Sequence, residues 1–220
     1  MWFGFHIMRF IFCGWNCDCI VRELFNIKKY KGGLNVRIAI FIDAANKFGF
    51  ERHLRLRIDL EALDSFILNK YKNFSPQIKI KKFFTPVEKG NDWKKNSYIS
   101  KIRGLHYEII TQIMKNVRTH NRDAEGNPIF YKKCDMDARI GFEIGTSWKQ
   151  FDTLVFICGD SDFANIMEIL VKKKKKIFII ASRNSIAKEL IDLAVKYNYD
   201  NMDVINFETE EKIIYRNKYD

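Results

Sequence analysis

The sequence lacks the features that place a chain across a membrane, outside the cell or in a repeat array. No stretch offers the roughly 20 uninterrupted apolar residues of a membrane-spanning helix. Residues 1–21 come nearest, but His6, Arg9, Asn16 and Asp18 interrupt them. The same segment has no leading basic region and no small-residue cleavage site, so it does not fit a secretory signal. The five cysteines, at 13, 17, 19, 134 and 158, are odd in number and lack the spacing of a disulfide-stapled domain. A reducing, cytoplasmic setting follows as the simpler expectation, with no membrane partner. Cys13, Cys17 and Cys19 lie near His6, yet their C-x3-C-x-C spacing is not that of a standard zinc knuckle. Internal repeats are absent, and low complexity is confined to residues 172–176, a lysine run that reads as a solvated turn.

What is present suits one globular domain. A chain of 220 residues, 47% hydrophobic with 19 Phe, has ample material for a core. Lys and Arg total 38 against 27 Asp and Glu, a formal charge of +11, which favours polyanionic partners without establishing one. After Lys31-Gly32-Gly33 the pattern changes to short β-branched runs alternating with amphipathic segments, the mark of an α/β fold. The expected organisation is an N-terminal extension at 1–34, a domain at 35–207 and a charged tail at 208–220.

Strands are expected at 37–42, 77–84, 107–114, 153–158, 177–181 and 204–207. Helices are expected at 59–71, 92–103, 135–148, 161–171 and 185–196. Segment 47–55 reads as a loop. Residues 115–132 read as a hairpin extension that turns at Asp123-Ala-Glu-Gly-Asn-Pro128. The first strand is almost continuously apolar, as expected when both sheet faces are covered.

Two strands run straight into acids: Asp43 after the first, and Asp160 and Asp162 after the strand at 153–158. If these strands are parallel neighbours, both groups emerge at one carboxyl edge, and a change of strand order between them opens a crevice. Asp137 heads a helix with Ile140, Gly141, Ile144 and Trp148 on the same stripe, so it points towards the sheet. Asp135 and Glu143 fall on other faces. Helix capping alone accounts for either Asp160 or Asp162 taken singly, whereas the convergence of several acids does not reduce to capping. Packed carboxylates repel one another unless a divalent ion neutralises them. With no His or Cys cluster among them, magnesium or manganese is the expected ion, and phosphodiester hydrolysis the expected chemistry. Cys158 is a poor nucleophile, because the motif offers no His or Lys to activate it.

Phe41-Ile-Asp-Ala-Ala-Asn46, Met136-Asp-Ala-Arg-Ile-Gly-Phe-Glu143 and Cys158-Gly-Asp-Ser-Asp-Phe163, in that order, resemble the pattern of NYN domains, the LabA-like branch of the PIN-domain nucleases. The resemblance spans about residues 35–207. It implies a three-layer Rossmann-like fold with a mostly parallel sheet flanked by helices, a magnesium or manganese site, and RNA as substrate class. It carries over Asp43 as first metal ligand, Asn46 as a site-orienting group, Asp137 as the helix acid, and Asp160 and Asp162 as the acids after the fourth core strand. Two positions depart from the pattern. Glu143 stands where the family often has Asp, and Cys158 where serine is common.

For RNA, the expected contacts are Lys47, Arg52 and Arg55 in the segment after the first strand, and Trp93, Lys94 and Lys95 after the second. Lys133 stands just ahead of the helix acid, and Lys115, Arg118 and Arg122 extend the track through the hairpin. Ordinary packing is the competing account of Phe48, Phe50 and Trp93. The expected activity is a metal-dependent endoribonuclease acting on single-stranded RNA, with a homodimer allowed. The alternatives are a non-catalytic RNA-binding or scaffold module, and a phosphohydrolase of small phosphoesters.

Overall fold

The computed structural model describes residues 35–90, 96–198, 201–210 and 212–216. The cysteines near the start of the chain, and Trp93, Lys94 and Lys95, lie outside the described residues.

Six strands form one sheet: β1 (Arg37–Asp43), β3 (Gln77–Val87), β4 (Glu108–Ile113), β7 (Thr153–Ile157), β8 (Lys176–Ala181) and β9 (Met202–Asn206), in the order β4-β3-β1-β7-β8-β9. Every neighbouring pair is parallel. The chain builds outwards from β1 through β3 to β4. It then crosses back to β7 on the other side of β1 and continues to β8 and β9. The order therefore reverses between β1 and β7, the place where a parallel sheet opens a crevice at its carboxyl edge.

Helices α1 (Ala44–Leu54), α2 (Leu60–Lys70), α3 (Ser97–Gly104), α4 (Met136–Ser147), α5 (Ala164–Lys172) and α6 (Lys188–Lys196) flank the sheet. Neighbouring lysines of β3 show that both faces are covered, since successive strand side chains point oppositely. Lys81 bonds Asp64 of α2 and the carbonyl of Leu105, whereas Lys82 bonds Glu143 of α4. This explains why β1 is apolar throughout: Ile38 to Ile42 are all fully buried. In register, Phe41 pairs with Lys82 and Asp43 with Phe84, so Asp43 shares the sheet face that α4 covers. No described helix is long and apolar enough to cross a membrane.

Three local differences from the sequence reading have physical causes. Segment 47–55 is largely helix, not loop. Asp43 caps α1 through the amides of Ala45 and Asn46, and the buried side of α1 consists of Ala44, Lys47, Phe50 and Glu51. An ion pair at two of those four positions erases the apolar stripe by which a helix is recognised. The second difference lies beyond residue 207. Ile213 is fully buried, its carbonyl accepts from the Asp59 amide at 3.0 Å, and β10 (Ile214–Arg216) pairs antiparallel with the short β2 (Leu56–Ile58). The segment expected as a charged tail thus supplies a strand to the domain. The third is α3, which begins at Ser97 with Asn96 as its cap, later than the expected start at 92. Strands β5 (Lys115–Arg122) and β6 (Pro128–Lys133) form the expected hairpin as a separate two-stranded ribbon.

Candidate metal centre

Asp43 ends β1 and opens α1, and both roles hold its carboxylate. Oδ1 accepts from the Ala45 amide at 2.9 Å and the Asn46 amide at 3.4 Å, while Oδ2 accepts from Asn46 Nδ2 at 2.7 Å. Asn46 reaches the other way as well, its Oδ1 accepting from the Gly159 amide at 3.3 Å. One side chain therefore ties the end of β1 to the turn after β7. Cys158 completes this scaffold: its Sγ lies 3.8 Å from Asp43 Oδ2 and accepts from the Asp160 amide at 3.4 Å. Burial, reinforced by Asp43, pushes the Cys158 thiol well above its ordinary value, so the sulfur stays protonated.

Beyond Cys158 the chain makes a tight turn. A Cβ at Gly159 would stand 2.6 Å from the Ser185 carbonyl oxygen in the loop after β8, so only glycine fits. Asp160 then caps the 3-10 turn Ser161–Phe163 by accepting from the Asp162 amide at 3.0 Å. From the opposite side, the first turn of α4 brings in Asp137. One carboxylate oxygen from each of Asp137, Asp160 and Asp162 lies within 4.8 Å of the others. Burial, followed by the charges of Asp43, Asp160, Asp162 and Asp135, raises the Asp137 carboxyl to about 6. A trio of hard oxygen donors at this spacing suits a divalent cation, which would offset the charge repulsion that adds to burial in raising Asp137.

Residues 37–201 match the family model of the NYN domain. The chain belongs to the NYN domain family. It is 23% identical over 161 residues to the low amplitude and bright protein LabA of Synechococcus elongatus, covering 73% of this chain and 82% of that protein. Its fold is similar to the crystal structure of a protein of unknown function from Vibrio parahaemolyticus, with a TM-score of 0.61, 19% identity, and coverage of 84% of this chain and all of the other.

Within this NYN domain the expected acids do not stand equally. Asp137, Asp160 and Asp162 form the open cluster, and Asp43 lies behind it, 3% exposed and held by Asn46. Asp135 is exposed and makes no side-chain cap. Glu143 is buried and committed to Lys82 and to Arg139 at 2.8 Å, outside the cluster.

The expected RNA contacts divide more sharply. Lys47 is a correction: it is 1% exposed and paired with Glu51 at 2.6 Å, where it cannot meet a phosphate. Its placement follows from α1, which turns it inwards. Arg52 and Arg55 are exposed at the end of α1, and Lys133 is exposed at the end of β6. The phenylalanines of α1 are packing residues, Phe50 lying 5.8 Å from the Phe207 ring and Phe48 5.5 Å from the Tyr98 ring. The loop after β8 was not among the expected site segments; there Asn184 and Ser185 line an open groove with Ala45, Asn46 and Gly49. Its one sequence signal is position, directly after a parallel strand at the carboxyl edge.

Proposed function

We propose that the protein is a magnesium- or manganese-dependent nuclease that hydrolyses phosphodiester bonds of single-stranded RNA, acting internally on the strand. The observation that carries this reading is the convergence of Asp137, Asp160 and Asp162 at the reversal of strand order, with one oxygen from each within 4.8 Å of the others. These three side chains would hold the ion. A bound ion supplies an activated water and stabilises charge on a phosphate oxygen. Asp43 and Asn46 act as positioning residues: their bonds fix the end of β1 against the Gly159 turn and so set where Asp160 emerges. Asp160 and Asp162 face solvent more than Asp43 does, which leaves them accessible to a substrate phosphate. RNA is favoured over a small phosphoester by the formal charge of +11 and by exposed Lys133, just ahead of the helix turn that carries Asp137; Arg52 and Arg55 are also exposed, at the end of α1 opposite Asp43. The described cysteines, Cys134 and Cys158, are both free thiols, which supports a cytoplasmic setting.

The test is cleavage of a labelled single-stranded oligoribonucleotide in magnesium or manganese. Cleavage is expected to stop with chelator and to fall by about 100-fold or more in Asp160→Asn, whose circular dichroism should match the parent. Undiminished cleavage in that variant removes the acid cluster as the site.

A further inference from the structure

The β5–β6 ribbon leaves the carboxyl edge of the sheet just after β4 and returns through Lys133, Cys134 and Asp135 into the turn that carries Asp137. An isolated two-stranded ribbon is marginal in water and gains little from apolar side chains left exposed. Here Tyr131 is 49% exposed and Phe130 56%.

The pairing register sorts the side chains by face. On one face Lys115 stands opposite Lys133, and Val117 opposite Tyr131; on the other, Asn116 stands opposite Lys132, and Arg118 opposite Phe130. The two faces differ in how their charge is satisfied. Lys132 is paired with Glu88 at 2.6 Å. Lys115 and Lys133 confront one another, and neither makes an ion pair with a described residue. Like charges directly opposite destabilise a ribbon, so this pair calls for an anion. The acids of the ribbon do not supply it, because they sit in the far turn, where Asp123 accepts from the amides of Glu125 and Asn127. The Lys115 and Lys133 end also lines a hollow with Gln112, Ile113 and Asp135, and Asp135 makes no ion pair with either lysine.

We propose that this face holds single-stranded RNA, with a phosphate between Lys115 and Lys133 and an unpaired base stacked on Tyr131 over Val117. The proposal rests on the nuclease reading and names how that site takes its strand. Paired cations recruit the polyanion, and an aromatic platform selects bases that are not already stacked in a duplex. The opposite face, with Phe130, is the internal comparison.

The test is fluorescence anisotropy of the full chain with a labelled single-stranded oligoribonucleotide in chelator, across a salt series. Tyr131→Ala should weaken binding at least about fivefold, with Tyr131→Phe restoring it. Lys115→Gln with Lys133→Gln should lower the slope of log affinity against log salt by about 0.7, the share of one phosphate. Phe130→Ala should change neither, and thermal melts should show all variants folded. Equal affinity for a duplex, or Tyr131→Ala binding as the parent does, overturns the proposal. So does a loss of dimer in Tyr131→Ala with RNA affinity intact, since a second copy would then cover the face. If the parent binds RNA through Tyr131 yet never cleaves it, the ribbon assignment stands and the nuclease reading falls. If the parent cleaves with metal while the ribbon variants bind normally, the reverse holds.

Discussion

Replacing Asp137 with Asn should make the metal-free protein more stable. The Asp137 carboxyl rises from 3.8 to about 6 because burial and the acids around it oppose its charge. That rise corresponds to about 3 kcal/mol at 1.36 kcal/mol per pH unit. Asp137 is half-buried, and solvent screening reduces the figure to about 1–2 kcal/mol. Because the folded value lies above the unfolded one, the folded state binds this proton more tightly, and the associated stability is lost as pH rises through about 6. At pH 8 in chelator, Asp137→Asn is therefore expected to melt about 3–6 °C higher than the parent. Its advantage should shrink through pH 6 and vanish below about pH 4. Magnesium or manganese should invert the ranking, stabilising the parent and not the variant. Thermal unfolding followed by circular dichroism, with and without metal at each pH, measures all of this. A variant no more stable than the parent at pH 8 in chelator would refute the cost of holding Asp137 charged while part-buried beside other acids.

Gly159→Ala places a methyl 2.6 Å from the Ser185 carbonyl oxygen and 3.2 Å from Ile186 Cα, both backbone atoms that cannot swing aside. It should cost about 1–3 kcal/mol in urea unfolding and reduce cleavage even where the fold survives, because the amide bonded to Asn46 moves. Ile213→Ala should cost about 2–5 kcal/mol, as for any fully buried aliphatic residue. A loss under about 0.5 kcal/mol, the level of a surface change, would show that the β2–β10 pairing adds nothing to the domain.

The parts of this fold that were legible in the sequence are those specified by local pattern. The near-continuous apolar runs of β1, β7 and β8 announce strands buried on both faces, and each of the first two ends visibly in acid. Helix phase set Asp137, which reaches the cluster, apart from exposed Asp135, but misjudged Glu143, which lies on the buried face with Met136, Ile140, Ile144 and Ser147. Helix α1 was hidden for the opposite reason. Its inner face carries Lys47 and Glu51, and a buried ion pair has the composition of a solvated surface. The strand at Ile214–Arg216 was hidden because its partner lies at Leu56–Ile58, far away in sequence, and no local period records such a pairing.

The acid cluster divides along the same line. Sequence by itself determined which carboxylates stand at strand ends and at the head of α4, because backbone hydrogen bonding fixes where strands stop and helices start. Only the tertiary structure decided that Asp137, Asp160 and Asp162 share one small volume while Asp43 is held behind them by Asn46. Electrostatic repulsion depends on distance and burial, and both are set by the reversal of strand order between β1 and β7.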